Sequence, residues 1–365
     1  MATLHVLLAC ILALLVCSAA AAAAESYSNK VPAVFVFGDS LVDTGNNNYV
    51  ATIAKGNFPP YGRDFPGGKA TGRFSNAKGV ADYIAEVFGV KQLLPPYLDP
   101  SLDLPELLTG VCFASAGSGY DPRTPQKMNA IPMTTQLNMF KEYIKKINAS
   151  VSPERTQEII SQSAYVIFMG SNDLTNTYPT VNYRYTEESY TDLMISLALD
   201  FHKVRPEPEP DQNTEFVKLY EVGARRIGLL ELPPTGCAPA IRSSQGGLRR
   251  ECSESLNRRI RLFNSKLSLM VDQLNQELPG TKAVKFEFYD HVVSLADNPA
   301  PYGIEEVTRG CCGTGNIETG VLCVLPGTCA VADKYMFFDS FHPTEVAARI
   351  LTKQALSPSY LSKLF

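Results

Sequence analysis

Tryptophan is absent from this chain, and histidine is nearly so: among 365 residues there are four, His5, His202, His291 and His342. Imidazole is the side chain best suited to moving protons near neutral pH, so that scarcity confines most acid–base schemes to a few positions. His5 sits in an apolar N-terminal run and His202 in a charged, Pro-rich stretch, while His291 enters a helix-like segment. Cation excess is also missing. Lys and Arg number 33 against 37 Asp and Glu, for a net charge of −4, and no basic stripe supplies the phosphate contacts that nucleic-acid binding requires. No C-x-x-C pair suggests a zinc site, and no G-x-S-x-G supplies the nucleophile elbow of the α/β-hydrolases. The run from Gly62 to Ala70 imitates a phosphate loop, but Gly68 stands where the Lys should be. After the first few residues no apolar run is long enough to cross a bilayer.

Two short motifs near opposite ends of the chain carry chemistry. Val34-Phe35-Val36-Phe37-Gly38-Asp39-Ser40 reads as a buried strand that breaks at a Gly and presents one serine. Phe338-Asp339-Ser340-Phe341-His342-Pro343 offers an Asp and a His three residues apart, with a Pro to hold the loop. Hydroxyl, imidazole and carboxylate are the groups that activate a weak nucleophile, so Ser40, His342 and Asp339 are the candidate triad. Asp39 and Asp43 flank Ser40 and read as loop and helix-start residues.

Residues 1–24 have the pattern of a secretory signal: apolar from Leu4 to Val16, then small from Ser18 to Ala24. Cleavage near Ala24 leaves 25–365, a length that fits one α/β domain. Seven of the nine cysteines remain in that span. Export favours disulfides among them, and Cys112, inside the apolar Gly110-Val111-Cys112-Phe113-Ala114, reads as a buried free thiol. Asn148-Ala149-Ser150 is the only glycosylation sequon.

Between the motifs, short apolar runs at 33–37, 111–115, 164–169, 225–230 and 283–288 alternate with amphipathic stretches, clearest at 248–278. This alternation predicts a mainly parallel sheet of about five strands covered on both faces by helices, with the site at the strands' carboxyl ends. Phe113-Ala114-Ser115-Ala116-Gly117-Ser118-Gly119 and Gly170-Ser171-Asn172-Asp173 follow two of these strands. Glycines in the first can expose backbone N–H groups and Asn172 an amide hydrogen, which with the Ser40 N–H predicts a three-donor oxyanion hole. Residues 202–215, with three prolines in five positions, cannot continue a helix and read as a disordered insertion.

With these blocks in order along Pro32–Leu351, the chain resembles the plant GDSL-type esterase/lipases of the SGNH hydrolase superfamily. Asp43-Thr44-Gly45-Asn46-Asn47-Asn48, Leu232-Pro233-Pro234-Thr235-Gly236-Cys237 and Arg309-Gly310-Cys311-Cys312-Gly313 extend the likeness. Ser118-Gly119-Tyr120-Asp121-Pro122 is similar to the extracellular lipase subgroup. The resemblance implies a three-layer α/β/α, flavodoxin-like sandwich, an oxyanion hole of the Ser40 backbone, Gly117 and Asn172, and a secreted ester hydrolase that forms an acyl-enzyme on Ser40 and needs no cofactor or metal. It implies a monomer acting on a small acyl ester or lipid. Expected bridges are Cys237–Cys252 and two more among Cys311, Cys312, Cys323 and Cys329, with their connectivity left open. Cys112 stands where relatives usually have Asn or Thr, and Ala116 where many have Gly. The same site can instead transfer the acyl group to an alcohol, and a secreted binding protein that kept the fold without catalysis is the rival outside enzymology.

Overall fold

The computed structural model describes residues 31–202, 218–324 and 327–365. The signal-like segment and residues 203–215 of the expected insertion lie outside the described residues.

Four strands form a wholly parallel sheet in the order β1 (Val34–Gly38), β2 (Ala164–Phe168), β3 (Arg226–Leu230) and β4 (Lys282–Phe286). The apolar runs of β1 and β2 follow from burial on both faces, since a parallel sheet covered by helices has no solvated side to reward alternation. Phe35 and Phe37 send their rings toward Phe140, Tyr143 and Phe201, on helices Met133–Asn148 and Glu187–His202. Glu254–Glu277 packs beside Glu187–His202 in that layer. By the pleat's alternation, Val34 and Val36 face the opposite layer, where Val80–Val87, Glu345–Ala355 and Tyr289–Asp297 pack in succession. The result is a three-layer α/β sandwich. Among the described residues no helix is long and apolar enough to cross a membrane.

Three sequence expectations need correction. Residues 111–115 form no fifth strand of the sheet. They run beside β1, exchanging Val36 N–H to Val111 O and Phe113 N–H to Val36 O, but the pairing reduces to an isolated bridge at Cys112. Gly110, at φ +94°, turns the chain sharply just before it, which shortens the run. No α-helix starts after Ser40; a turn and a short 3-10 segment, Asn46–Tyr49, replace it, because the asparagines there bond to neighbouring loops instead. His202 belongs to helix Glu187–His202 and is buried, not part of an exposed insertion. Leu219 and Tyr220 donate to the Phe201 and His202 carbonyls, so the chain beyond 217 returns directly to the helix end, as turns and not as helix. A second small sheet pairs β5 (Glu306–Gly310) with β6 (Tyr335–Phe337) and delivers the 338–343 loop to the end of the main sheet. The bridges close as Cys237–Cys252, Cys311–Cys329 and Cys312–Cys323, with Cys112 free and buried. Of the two late connectivities left open by the sequence, this is the one adopted.

Candidate active site

β1 ends at Gly38, whose φ of +153° and closeness to β2 explain its identity: a Cβ there would lie 2.2 Å from the Phe168 carbonyl oxygen. The chain then turns, with Asp39 N–H donating to Phe168 O, and Ser40 is left half-buried at the carboxyl end of the sheet. Gln136 braces the turn by accepting from Gly38 N–H and donating to Gly38 O.

From the other end of the chain, the loop after β6 brings His342 against it. His342 Nε2 lies 2.7 Å from Ser40 Oγ. Its Nδ1 lies 2.8 and 2.9 Å from the two oxygens of Asp339. Asp339 is fully buried, and its Oδ1 also accepts the N–H groups of Phe341 and His342, which pins the loop around the carboxylate. Phe74 lies against the imidazole, with ring centroids 4.8 Å apart. A hydroxyl bonded to an imidazole whose far nitrogen meets a buried carboxylate can lose its proton as it attacks a carbonyl.

Gly117 and Asn172 line the same cleft as Ser40 and His342. Gly117 takes φ +85° on a loop tied down twice. Asp43 accepts Gly45 and Asn46 N–H on one oxygen and Ala116 N–H, at 2.9 Å, on the other. Asn47 Nδ2 donates to Ala116 O. Asp173 accepts Tyr120 N–H, Asp121 N–H and the Thr124 hydroxyl. Among the described residues the Ser40 and Gly117 N–H groups have no protein acceptor, leaving both available to a ligand oxygen. Asn172 Nδ2 donates to Ser118 O at 2.9 Å.

The cleft encloses about 650 Å³. Apolar side chains dominate its walls, among them Ile53, Phe58, Met128, Phe168, Val321 and Leu322. Ile53, Val321 and Leu322 are also exposed at its mouth. Asp39 forms part of its floor. Burial, opposed by the Leu41 N–H and by His342, pushes its carboxyl up to about 7, and its Oδ2 has no partner among the described residues.

The remaining predicted residues lie elsewhere. Asn148 is exposed at the end of helix Met133–Asn148, and His291 sits in helix Tyr289–Asp297. Sequence reasoning missed Tyr61, whose hydroxyl donates to Asp339 Oδ2 at 2.8 Å. It sits in a Pro- and Gly-rich loop with no periodicity to mark it as buried. Gln136 was missed because it lies on a helix face that otherwise reads as core.

Comparison with known proteins gives the class, that of hydrolases acting on ester bonds. A family model described as GDSL-like Lipase/Acylhydrolase matches residues 34–355, and the chain belongs to that family. It is 43% identical over 335 residues to GDSL esterase/lipase At1g20120 of Arabidopsis thaliana, covering 90% of this chain and 80% of the relative. Against GDSL esterase/lipase At3g14820 of the same plant the identity is again 43%, covering 91% of each chain. GDSL esterase/lipase EXL3, also from Arabidopsis thaliana, is 43% identical over 325 residues, 88% of this chain and 85% of its own.

Proposed function

We propose that the chain is a secreted carboxylic-ester hydrolase acting on acyl esters or lipids through an acyl-enzyme on Ser40. The observation that carries this is the continuous hydrogen-bonded line from Ser40 Oγ through His342 to Asp339. Ser40 attacks the acyl carbonyl while His342 Nε2 takes its proton, and Asp339 stabilises the imidazolium that forms. The Ser40 and Gly117 N–H groups and the Asn172 amide receive the oxyanion. His342 then protonates the leaving alcohol, and water, deprotonated by the same imidazole, releases the acid. The apolar walls favour an aliphatic acyl chain over a charged one.

Three disulfides fit maturation in an oxidising compartment, which agrees with removal of residues 1–24. On this reading, residues 25–365 are one domain that works as a monomer and carries a glycan on exposed Asn148. The test is hydrolysis of p-nitrophenyl esters of increasing chain length by secreted protein. Activity that persists in Ser40→Ala, or is absent from wild type on every ester, contradicts the proposal.

A further inference from the structure

We infer that Tyr61 is a positioning residue of the proposed triad, fixing Asp339 through its hydroxyl and tying that carboxylate to the cleft wall at Gly320. The inference rests on the catalytic reading above. Tyr61 is fully buried, and its hydroxyl does two things at once. It donates to Asp339 Oδ2 at 2.8 Å and accepts the N–H of Gly320, also at 2.8 Å. The ring cannot swing away, because Phe58, Phe74 and Phe338 hold it in edge contacts with centroids 5.5–5.9 Å apart. Phe74 is also the ring that lies against His342, so one aromatic cluster orients both ends of the acid–base pair.

The two oxygens of the Asp339 carboxylate are served unequally. Among the described residues, Oδ1 has two backbone donors besides the imidazole, whereas Oδ2 has only the imidazole and Tyr61. Removing the phenol leaves a buried anionic oxygen with His342 as its sole partner. The carboxylate then holds a proton on the imidazole more tightly and is held in its rotation by the bonds to Oδ1 alone. Gly320, Val321 and Leu322 belong to the cleft wall, held by the Cys312–Cys323 bridge, so the same hydroxyl registers the substrate's wall against the triad. Burial and the Asp339 charge keep the Tyr61 phenol well above its ordinary value, so it remains a donor throughout the working pH range.

Asp39, on the loop after β1, also interacts electrostatically with His342, and Asp43 and Asp173 act on Asp39 in turn. These three carboxylates are common to wild type and variant, so a difference between the two reports on the Tyr61 bond.

The experiment titrates the histidine ring nitrogens of folded wild type and Tyr61→Phe by NMR, alongside the pH profile of kcat/KM. Loss of a hydrogen bond to a charged group should raise the His342 titration, and the acid limb of kcat/KM with it, by about one pH unit. At neutral pH kcat should fall about tenfold with KM nearly unchanged. Incorporating 3-fluorotyrosine at position 61, a stronger donor of the same shape, should move both titrations the other way, and it serves if Tyr61→Phe does not fold. An unmoved His342 titration in either variant overturns the inference, even if kcat falls, because packing alone would then account for the loss. The NMR titration needs no turnover, so a wild type inert toward esters contradicts the catalytic reading separately.

Discussion

Asn172→Ala should cost turnover far more than substrate binding. In the resting site Asn176 Nδ2 donates to Asn172 Oδ1 at 3.1 Å, which turns the Asn172 amide nitrogen toward Ser118 O, 2.9 Å away. An amide nitrogen has two hydrogens, so one remains for the cleft. That hydrogen meets a neutral carbonyl weakly and an oxyanion strongly. Loss of one such donor is worth about 2.7–4 kcal/mol in the transition state, or about 10²–10³ in kcat. KM should change by no more than about threefold, since the hydrogen bonds that Asn172 makes at rest lie within the protein and not to substrate. Asn172→Asp keeps the volume but turns the donor into an acceptor, and should be at least as damaging as Asn172→Ala. Steady-state kinetics on a p-nitrophenyl ester, with thermal unfolding to check the fold, would measure both. A kcat within about tenfold of wild type in Asn172→Ala would refute the oxyanion assignment.

Other residues give outcomes as definite. Asp173→Asn should lower kcat less than Asn172→Ala, because Asp173 only orders the loop, but it places an amide against the Tyr120 N–H and should reduce stability to urea by about 1–3 kcal/mol. His202 is fully buried with neither ring nitrogen partnered among the described residues, and desolvation lowers its pKa to about 3. Its contribution to stability is therefore complete above the unfolded value of about 6.5 and is lost as pH falls toward 3, so His202→Leu should flatten the loss between pH 7 and 5 by about 2 kcal/mol in urea titrations; parallel pH curves would contradict this. Peptide mapping without reduction should recover Cys311–Cys329 and Cys312–Cys323. In the same material Cys112, pushed up to about 12 chiefly by burial, should resist alkylation until the protein unfolds, and rapid labelling of native protein would be evidence against its burial.

Much of the site was legible because its chemistry is local. Gly38-Asp39-Ser40 follows a strand that its apolar run marks, and Asp339-Ser340-Phe341-His342 was read from its own short spacing, although the strand before it, β6, was not anticipated. The cross-chain bonds were not legible. Asp43 reaching Ala116, Tyr61 reaching Asp339 and Gln136 reaching Gly38 join residues 73, 278 and 98 positions apart, and no spacing encodes them. The 111–115 segment shows the limit of pattern reading: its buried apolar run is strand-like, yet the ladder beside β1 breaks down to a single bridge. β5 escaped notice because Glu306-Val307-Thr308-Arg309-Gly310 is half-exposed and carries two charges, so it lacks a buried strand's signature.

The most direct test of the central claim is covalent labelling with an organophosphonate ester, whose adduct imitates the tetrahedral intermediate. Only a serine placed as Ser40 is, with His342 Nε2 at 2.7 Å, should react. The label should fall on the peptide containing Gly38-Asp39-Ser40 and disappear in Ser40→Ala and His342→Ala, and it should form slowly in Asp339→Asn, where the imidazole takes the wrong tautomer. Ester hydrolysis should follow labelling across all three variants. A folded, secreted protein that neither takes the label nor hydrolyses any ester, or one labelled at another serine, would contradict the account.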